Sequence, residues 1–203
     1  MAEQEEILNA LKNATVVKNV CKYGKRVIIT AGRTEELIDP VRYISNRSSG
    51  KTATAIASVF YEAGFDVTMV CGPMDVAAPG FSKVVNVRSA IEMHEAVLSR
   101  AKDYDVLVHC AAVADYRPAE VANEKIKDSR SQLHLDLIPN PNILRDSVAQ
   151  KRKGQVVVGF ALETEKPELH AKEKLEKSGA DLLVLNMPVA KESGFGKDNV
   201  AFS

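Results

Sequence analysis

Three stretches of this sequence bring together side chains suited to holding a polyanion. Ser48, Ser49 and Gly50 open a segment of helical composition. Two hydroxyls, a residue without a side chain and free backbone N–H groups therefore meet at a helix N-terminus, where orphan donors and the macrodipole favour phosphate. A capped helix start without a ligand is the plainer reading of those local features. Residues 111–118 read Ala-Ala-Val-Ala-Asp-Tyr-Arg-Pro after an apolar run. The small Ala111, Ala112 and Ala114 let a planar or bulky ligand approach the backbone. Asp115 can accept from a ribose hydroxyl or hold a metal-bound phosphate through water. Lys125 and Lys127 lie two apart and point alike if their segment is extended, which suits a triphosphate; a solvated charged loop is the competing reading. Two familiar motifs fail. Gly50-Lys51-Thr52 is the tail of a P-loop, but Ser45 stands where glycine is required, and no GxGxxG fingerprint is present.

These residues need a frame, and the hydrophobic pattern supplies one. Residues 26–31, 66–71, 83–87, 105–110, 155–160 and 181–186 are short apolar runs of the kind buried on both faces of a parallel sheet. Between them, residues 50–63, 89–102, 140–151 and 165–178 have helical composition. Gly64 suits a C-terminal stop, Ser89 with Glu92 a capping box, and Asn140-Pro141 a cap followed by a first-turn proline. Residues 132–137 alternate as an edge or hairpin strand would. The alternation predicts an α/β fold, a doubly wound, mostly parallel Rossmann-like sheet with helices on both faces. In such a sheet ligands bind beyond the carboxyl ends of the strands. The connections there at 32–49 and 111–131 are read as long polar loops, far above the usual 2–6 residues.

Composition narrows the function. Lys plus Arg and Asp plus Glu are 27 each over 203 residues, so a globally basic nucleic-acid binder is not expected. Cys21, Cys71 and Cys110 are far apart, with no CxxC, which argues against a zinc site or a secreted disulfide framework. No apolar run has the length of a membrane span. The acidic, amphipathic start is not a signal peptide, so the cytoplasm is the expected location. Residues 1–25 read as a lead-in helix (Ile7, Leu8 and Leu11 on one face) and linker, and residues 26–203 as a single nucleotide-binding domain.

Residues 38–51 (Ile-Asp-Pro-Val-Arg-Tyr-Ile-Ser-Asn-Arg-Ser-Ser-Gly-Lys), 111–118, Lys125-Ile-Lys127, Asn140-Pro141 and 159–164 (Gly-Phe-Ala-Leu-Glu-Thr) together resemble the phosphopantothenate–cysteine ligase family, in order and with similar spacing over about residues 26–202. The resemblance implies ligation of phosphopantothenate to L-cysteine through an acyl-nucleotide, in coenzyme A synthesis. It implies CTP as the bacterial-type nucleotide, Mg²⁺ with ligands unknown, and a homodimer with a shared active site. It further implies a flavin-dependent decarboxylase as a separate partner, since nothing here matches that half. By this resemblance Asn46 contacts the acyl-nucleotide, Lys125 stabilises charge on the α-phosphate, and Arg42 reaches phosphopantothenate in the partner subunit. Gly32, Ser48, Ser49, Gly50, Ala111, Asp115, Asn140, Pro141, Asn142, Ile143, Phe160 and Lys174 match nucleotide-contacting positions, and Ala111, Ala112 and Asp115 border the substrate.

Some residues depart from the family pattern. Arg33 follows Gly32 where glycine or proline is usual, and either crowds the site or adds a phosphate contact. Ala53 stands for a second glycine, removing room near the phosphates. Ser178 stands near an expected lysine, beside Lys177. Residues 201–203 lie in what should be a strand. His109 is expected to be packed rather than catalytic, and His94 and His170 to be solvated. Cys110 is expected to be an inert buried thiol, and Glu163-Thr164 to position substrate or cap a helix. A non-catalytic nucleotide- or phosphopantothenate-binding remnant, and an NAD(P)-binding Rossmann oxidoreductase, are the alternative functions.

Overall fold

The computed structural model describes residues 24–127, 132–162, 167–187 and 201–202. The expected lead-in helix at residues 3–11 and the pair Glu163-Thr164 lie outside them. The apolar runs become the strands of one sheet: β1 (Arg26–Ala31), then β2 (Glu35–Leu37) and β3 (Tyr43–Ser45) apart from it, then helix α1 (Lys51–Glu62), β4 (Asp66–Cys71) and β5 (Lys83–Asn86). Next come α2 (Ala90–Leu98), a 3-10 turn (Ala101–Asp103), β6 (Val106–His109), and β7 (Tyr116–Pro118) with β8 (Leu137–Pro139) apart from the sheet. The chain continues through α3 (Ile143–Ala149), β9 (Val156–Leu162), α4 (Pro167–Ser178), β10 (Leu182–Met187) and β11 (Ala201–Phe202).

The sheet order is β11-β10-β9-β6-β1-β4-β5. Every pairing is parallel except β10 with β11. Numbering the six parallel strands along the chain, the order is the doubly wound 3-2-1-4-5-6, with its switch point between β1 and β6. Two apolar layers cover the sheet. Ala53, Ile56, Ala57 and Phe60 of α1 close one face over Val27, Ile29, Val67 and Met69. Met93, Ala96 and Val97 of α2 and Ile143 of α3 close the other over Ile28, Val70, Leu107 and Val157. Strand residues alternate between these layers as the period of two requires.

The structure moves several expected boundaries. Residues 32–49 are not an irregular loop: β2 and β3 form an antiparallel hairpin there, with Glu35 opposite Ser45 and Leu37 opposite Tyr43. Its two glutamates are buried. Glu35 pairs with Arg88 Nε at 2.9 Å, and Glu36 accepts the Ala90 N–H at 3.0 Å, at the start of α2. The strand expected at 132–137 is not formed there: residues 132–136 are irregular, and β8 begins only at Leu137, pairing with β7 in a second hairpin. The helix expected at 140–151 is α3, whose cap is Asn142, not Asn140: its side chain accepts the Arg145 N–H at 3.0 Å. Ser89 does cap α2, but Glu92 reaches back to the Arg88 N–H rather than to the cap's own. Ala53 lies in the core under α1, so it removes no room beside the rim. His94 is not solvated: Nε2 meets Asp146 Oδ2 at 3.0 Å, joining α2 to α3. Residues 201–202 do form a strand, β11.

Candidate functional site

The two long connections leave the carboxyl ends of β1 and β6, the adjacent strands at the switch point, and they are stitched together. Ala112 donates its N–H to Gly32 O at 2.9 Å, and Ala114 donates to Thr34 Oγ1 at 3.0 Å. Ala122 donates to Ile38 O at 3.0 Å. Asn46 Nδ2 donates to Val113 O at 2.9 Å and Asn140 Nδ2 to Ala114 O at 2.8 Å, so two amides grip adjacent carbonyls of one loop. Thr30 Oγ1 accepts the N–H groups of Cys110 and Ala111, both at 3.1 Å, which turns the chain out of β6. Asn140 is thus a loop clamp, which is why it does not cap α3.

Two glycines are required by their backbone and by close contact. Gly32 has φ +76°, and a Cβ there would lie 2.5 Å from Pro73 O. Gly50, the residue before α1, has φ +83°, and a Cβ would lie 2.6 Å from Met74 Sδ. Only glycine fits both the backbone and the approach of the β4–β5 loop. Arg33 neither crowds the site nor stands ready for phosphate. Its Nη1 donates to Ser48 O at 2.8 Å and to Asp75 Oδ1 at 2.9 Å, while Asp75 N–H donates to Ser49 O at 3.0 Å. The turn into α1 is therefore held from below.

Asp39, which the sequence reading passed over, organises the first connection. Its carboxylate is fully buried. Oδ1 accepts the N–H groups of Val41 and Arg42, both at 2.8 Å. Oδ2 accepts Arg42 Nε at 2.9 Å and Ile126 N–H at 3.1 Å. Burial alone would push its pKa up; the Arg42 guanidinium and the three backbone donors outweigh that and hold the carboxyl well below its ordinary value. The signal was in the sequence: Asp39-Pro40 is a turn initiator whose side chain bonds the N–H two residues on.

The predicted residues divide clearly. Gly32, Arg42, Asn46, Ser48, Ser49, Gly50, Ala111, Ala112, Asn140 and the Lys125–Lys127 segment belong to the interlocked loops. Asp115 is exposed at their edge, and its carbonyl accepts the Asn140 N–H. Pro141, Asn142 and Ile143 lead into α3, where Ile143 is core and Asn142 a cap. Phe160 packs against the core beside Cys110. Lys174 is exposed on α4, two turns from its first residue. Ser178 ends that helix, its hydroxyl donating to Leu175 O. Lys125, Lys127 and Arg47 are exposed on these connections, as are Asp115, Glu120 and Glu124. Beneath them His109 is packed: burial lowers its pKa to about 4, leaving the imidazole neutral. Burial raises Cys110 to about 12 and Cys71 to about 11, consistent with inert thiols. Among the described residues, no group of three or more His, Cys, Asp or Glu is placed to hold a metal, and no helix is long and apolar enough to cross a membrane.

A 3-2-1-4-5-6 parallel sheet with two interlocked connections at its switch point defines a Rossmann-like α/β domain, a fold whose ligands bind at that rim. More narrowly, the chain belongs to the DNA/pantothenate metabolism flavoprotein C-terminal domain family, which matches residues 22–203. The coenzyme A biosynthesis bifunctional protein CoaBC of Haemophilus influenzae is 45% identical over 186 residues, covering 92% of this chain and 46% of that protein. The chain spans about half the length of the curated relatives it matches. Among solved structures, the C-terminal domain of CoaBC is 37% identical with a TM-score of 0.69, covering 82% of this chain and 78% of that one. A mutant Cab2 in complex with phosphopantothenate-cysteine shares the fold at 18% identity, with a TM-score of 0.73 over 98% of this chain and 82% of that one.

Proposed function

We propose that this chain ligates (R)-4′-phosphopantothenate to L-cysteine with CTP, in coenzyme A biosynthesis. In the first step a carboxylate oxygen of phosphopantothenate bonds to the α-phosphorus of CTP, and pyrophosphate leaves. In the second the cysteine amine attacks the acyl carbonyl, CMP leaves, and the nitrogen loses a proton. The observation that carries this reading is the interlock at the switch point, which joins the loop of Asn46 to the connection that leads to Lys125; in this reading the amide and the ammonium share one cleft. A carboxylate and a triphosphate repel each other, so such a cleft must oppose both charges with fixed donors. Asn46 offers an amide N–H to the mixed anhydride without adding charge. Lys125 faces the α-phosphate, and the N–H groups leading into α1 face the remaining phosphates. The 37% identity to the CoaBC C-terminal domain supports this assignment.

Mg²⁺ would travel with the triphosphate, screening its charge. Such ions are commonly held by substrate phosphates and one or two carboxylates, a pattern that the exposed Asp115 on the rim fits. A homodimer fits the surface: among the described residues, nine of the thirteen exposed large hydrophobics, Val41, Tyr116 and Leu133 among them, lie on the two hairpins or the segments joined to them. In this reading Arg42 contributes to the partner's phosphopantothenate site, the protein works in the cytoplasm, and a phosphopantothenoylcysteine decarboxylase takes up the product. Pyrophosphate release in the presence of phosphopantothenate, cysteine and either CTP or ATP is the test. Turnover with CTP is expected. Binding of phosphopantothenate without turnover would instead establish a non-catalytic remnant, and hydride transfer from NAD(P)H would establish the oxidoreductase.

A further inference from the structure

Lys125 and Lys127 flank the one residue of their segment that is anchored. Ile126 N–H donates to Asp39 Oδ2 at 3.1 Å, and Ile126 O accepts from Arg42 Nη2 at 2.6 Å. The lysines are exposed and Ile126 is not, so the anchor turns one side chain in and two ammonium groups out. Closing the β2–β3 hairpin requires only the bonds from Asp39 Oδ1 to Val41 and Arg42. The other oxygen reaches across to a segment 87 residues further along the chain. A carboxylate buried this completely, with a guanidinium and a distant backbone N–H on the same oxygen, does more than make a turn.

We infer that Asp39 is a positioning residue: through Ile126, which Arg42 also holds, it fixes where the Lys125 ammonium stands. The inference rests on the function proposed above for the role of Lys125, but the clamp itself does not. Asp39→Asn keeps an acceptor for the turn and replaces the oxygen that holds Ile126 by an amide NH₂. Hydrogen–deuterium exchange of the 120–127 segment in the full chain reads the clamp directly. Protection at Ile126 is expected in the wild type and is expected to fall at least tenfold in Asp39→Asn. Unchanged exchange in a folded variant overturns the inference, whether or not the protein has ligase activity.

Single-turnover pyrophosphate release then reads the consequence. Asp39→Asn is expected to slow this step about 100-fold, the scale of a misplacement near 1 Å. The double variant with Lys125→Gln is expected to be no slower than Lys125→Gln alone, because the first residue acts through the second. Losses that multiply would show an independent role and overturn the positioning. Should Asp39→Asn fail to fold, Ile126→Pro removes the same donor and leaves the Asp39 turn intact; faster exchange of the remaining amides of the 120–127 segment and the same slowing of pyrophosphate release are then expected, and unchanged values of both overturn the inference. A wild type that releases no pyrophosphate rejects the proposed function, and the exchange measurement still decides the clamp.

Discussion

An aspartate organises each end of the central strand pair β1 and β6, and the two ends come out differently. At the amino ends, Asp105 accepts from Lys25 Nζ at 3.0 Å, from the Arg26 N–H at 2.9 Å and from Arg152 Nη2 at 3.1 Å. Gln155 closes the same edge, its amide donating to Ala101 O and Tyr104 O, both at 2.7 Å. Burial pushes Asp105 up, but these partners hold its carboxyl below the ordinary value. Lys25 and Arg152 both meet the Asp105 carboxylate, and Arg26 lies over the Tyr104 ring. At the carboxyl ends, Asp39 is turned inward and holds two loops together, while Arg47, Lys125 and Lys127 face solvent. The amino edge is built for neutrality and cohesion. The carboxyl edge leaves cations exposed, where an arriving anion can meet them.

The largest expected separation of the two ends comes from Asn46→Asp. The aspartate cannot donate to Val113 O, and it sets a negative charge beside a polyanion. Losing one preorganised donor lowers kcat by roughly 10²–10³-fold. We expect a stoichiometric burst of pyrophosphate with little CMP, because the reaction stalls after activation. The melting temperature should change little, since Asn46 is exposed. Wild-type turnover in this variant would remove Asn46 from the chemistry and the carboxyl rim from its catalytic role.

The reverse pattern is expected at the other edge. Asp105→Ala leaves the Arg26 N–H and two cations without their acceptor, which should cost about 1–3 kcal/mol of stability. Activity per folded molecule should stay within about twofold of the wild type, since the change leaves the rim untouched. Urea melts paired with turnover measurements read both quantities. A large fall in kcat at unchanged stability would mean that the two ends are not separable.

What could be read from the sequence follows the range of the interactions. Strands β1, β4 and β6 are continuous apolar runs, and a local pattern suffices to find them. The order that brings β1 beside β6 rests on pairings about 80 residues apart, which the pattern does not encode but the rules of doubly wound sheets do. The β2–β3 hairpin was illegible because Glu35 and Glu36 are buried by partners more than 50 residues away, Arg88 and Ala90. Asn140 and Asn142 are both competent caps two residues apart, and only the Ala114 carbonyl decides which one is free to act. Ala53 looked like a phosphate neighbour because it follows Gly50, yet three residues into a helix is most of a turn, enough to face the sheet. Residue types announced the rim, while long-range hydrogen bonds decided which of them are clamps.

The smallest expected effect probes what lies under the rim. His109 ends β6 directly below the interlocked loops, both ring nitrogens buried without a hydrogen-bond partner. Its pKa falls from 6.5 to about 4, by burial. The folded protein therefore resists a proton that the unfolded chain takes up near pH 6.5. Stability contributed this way is fully present above that value and is lost as pH falls toward 4. Between pH 7 and pH 5.5 the loss should be about 1 kcal/mol, and His109→Leu should abolish that part of the slope. Asp39 adds nothing in this window, because a lowered carboxyl pKa contributes above its unfolded value of 3.8 and is lost only below it. Urea melts of both proteins at the two pH values separate the effects. An identical slope would mean that the imidazole reaches water or a partner.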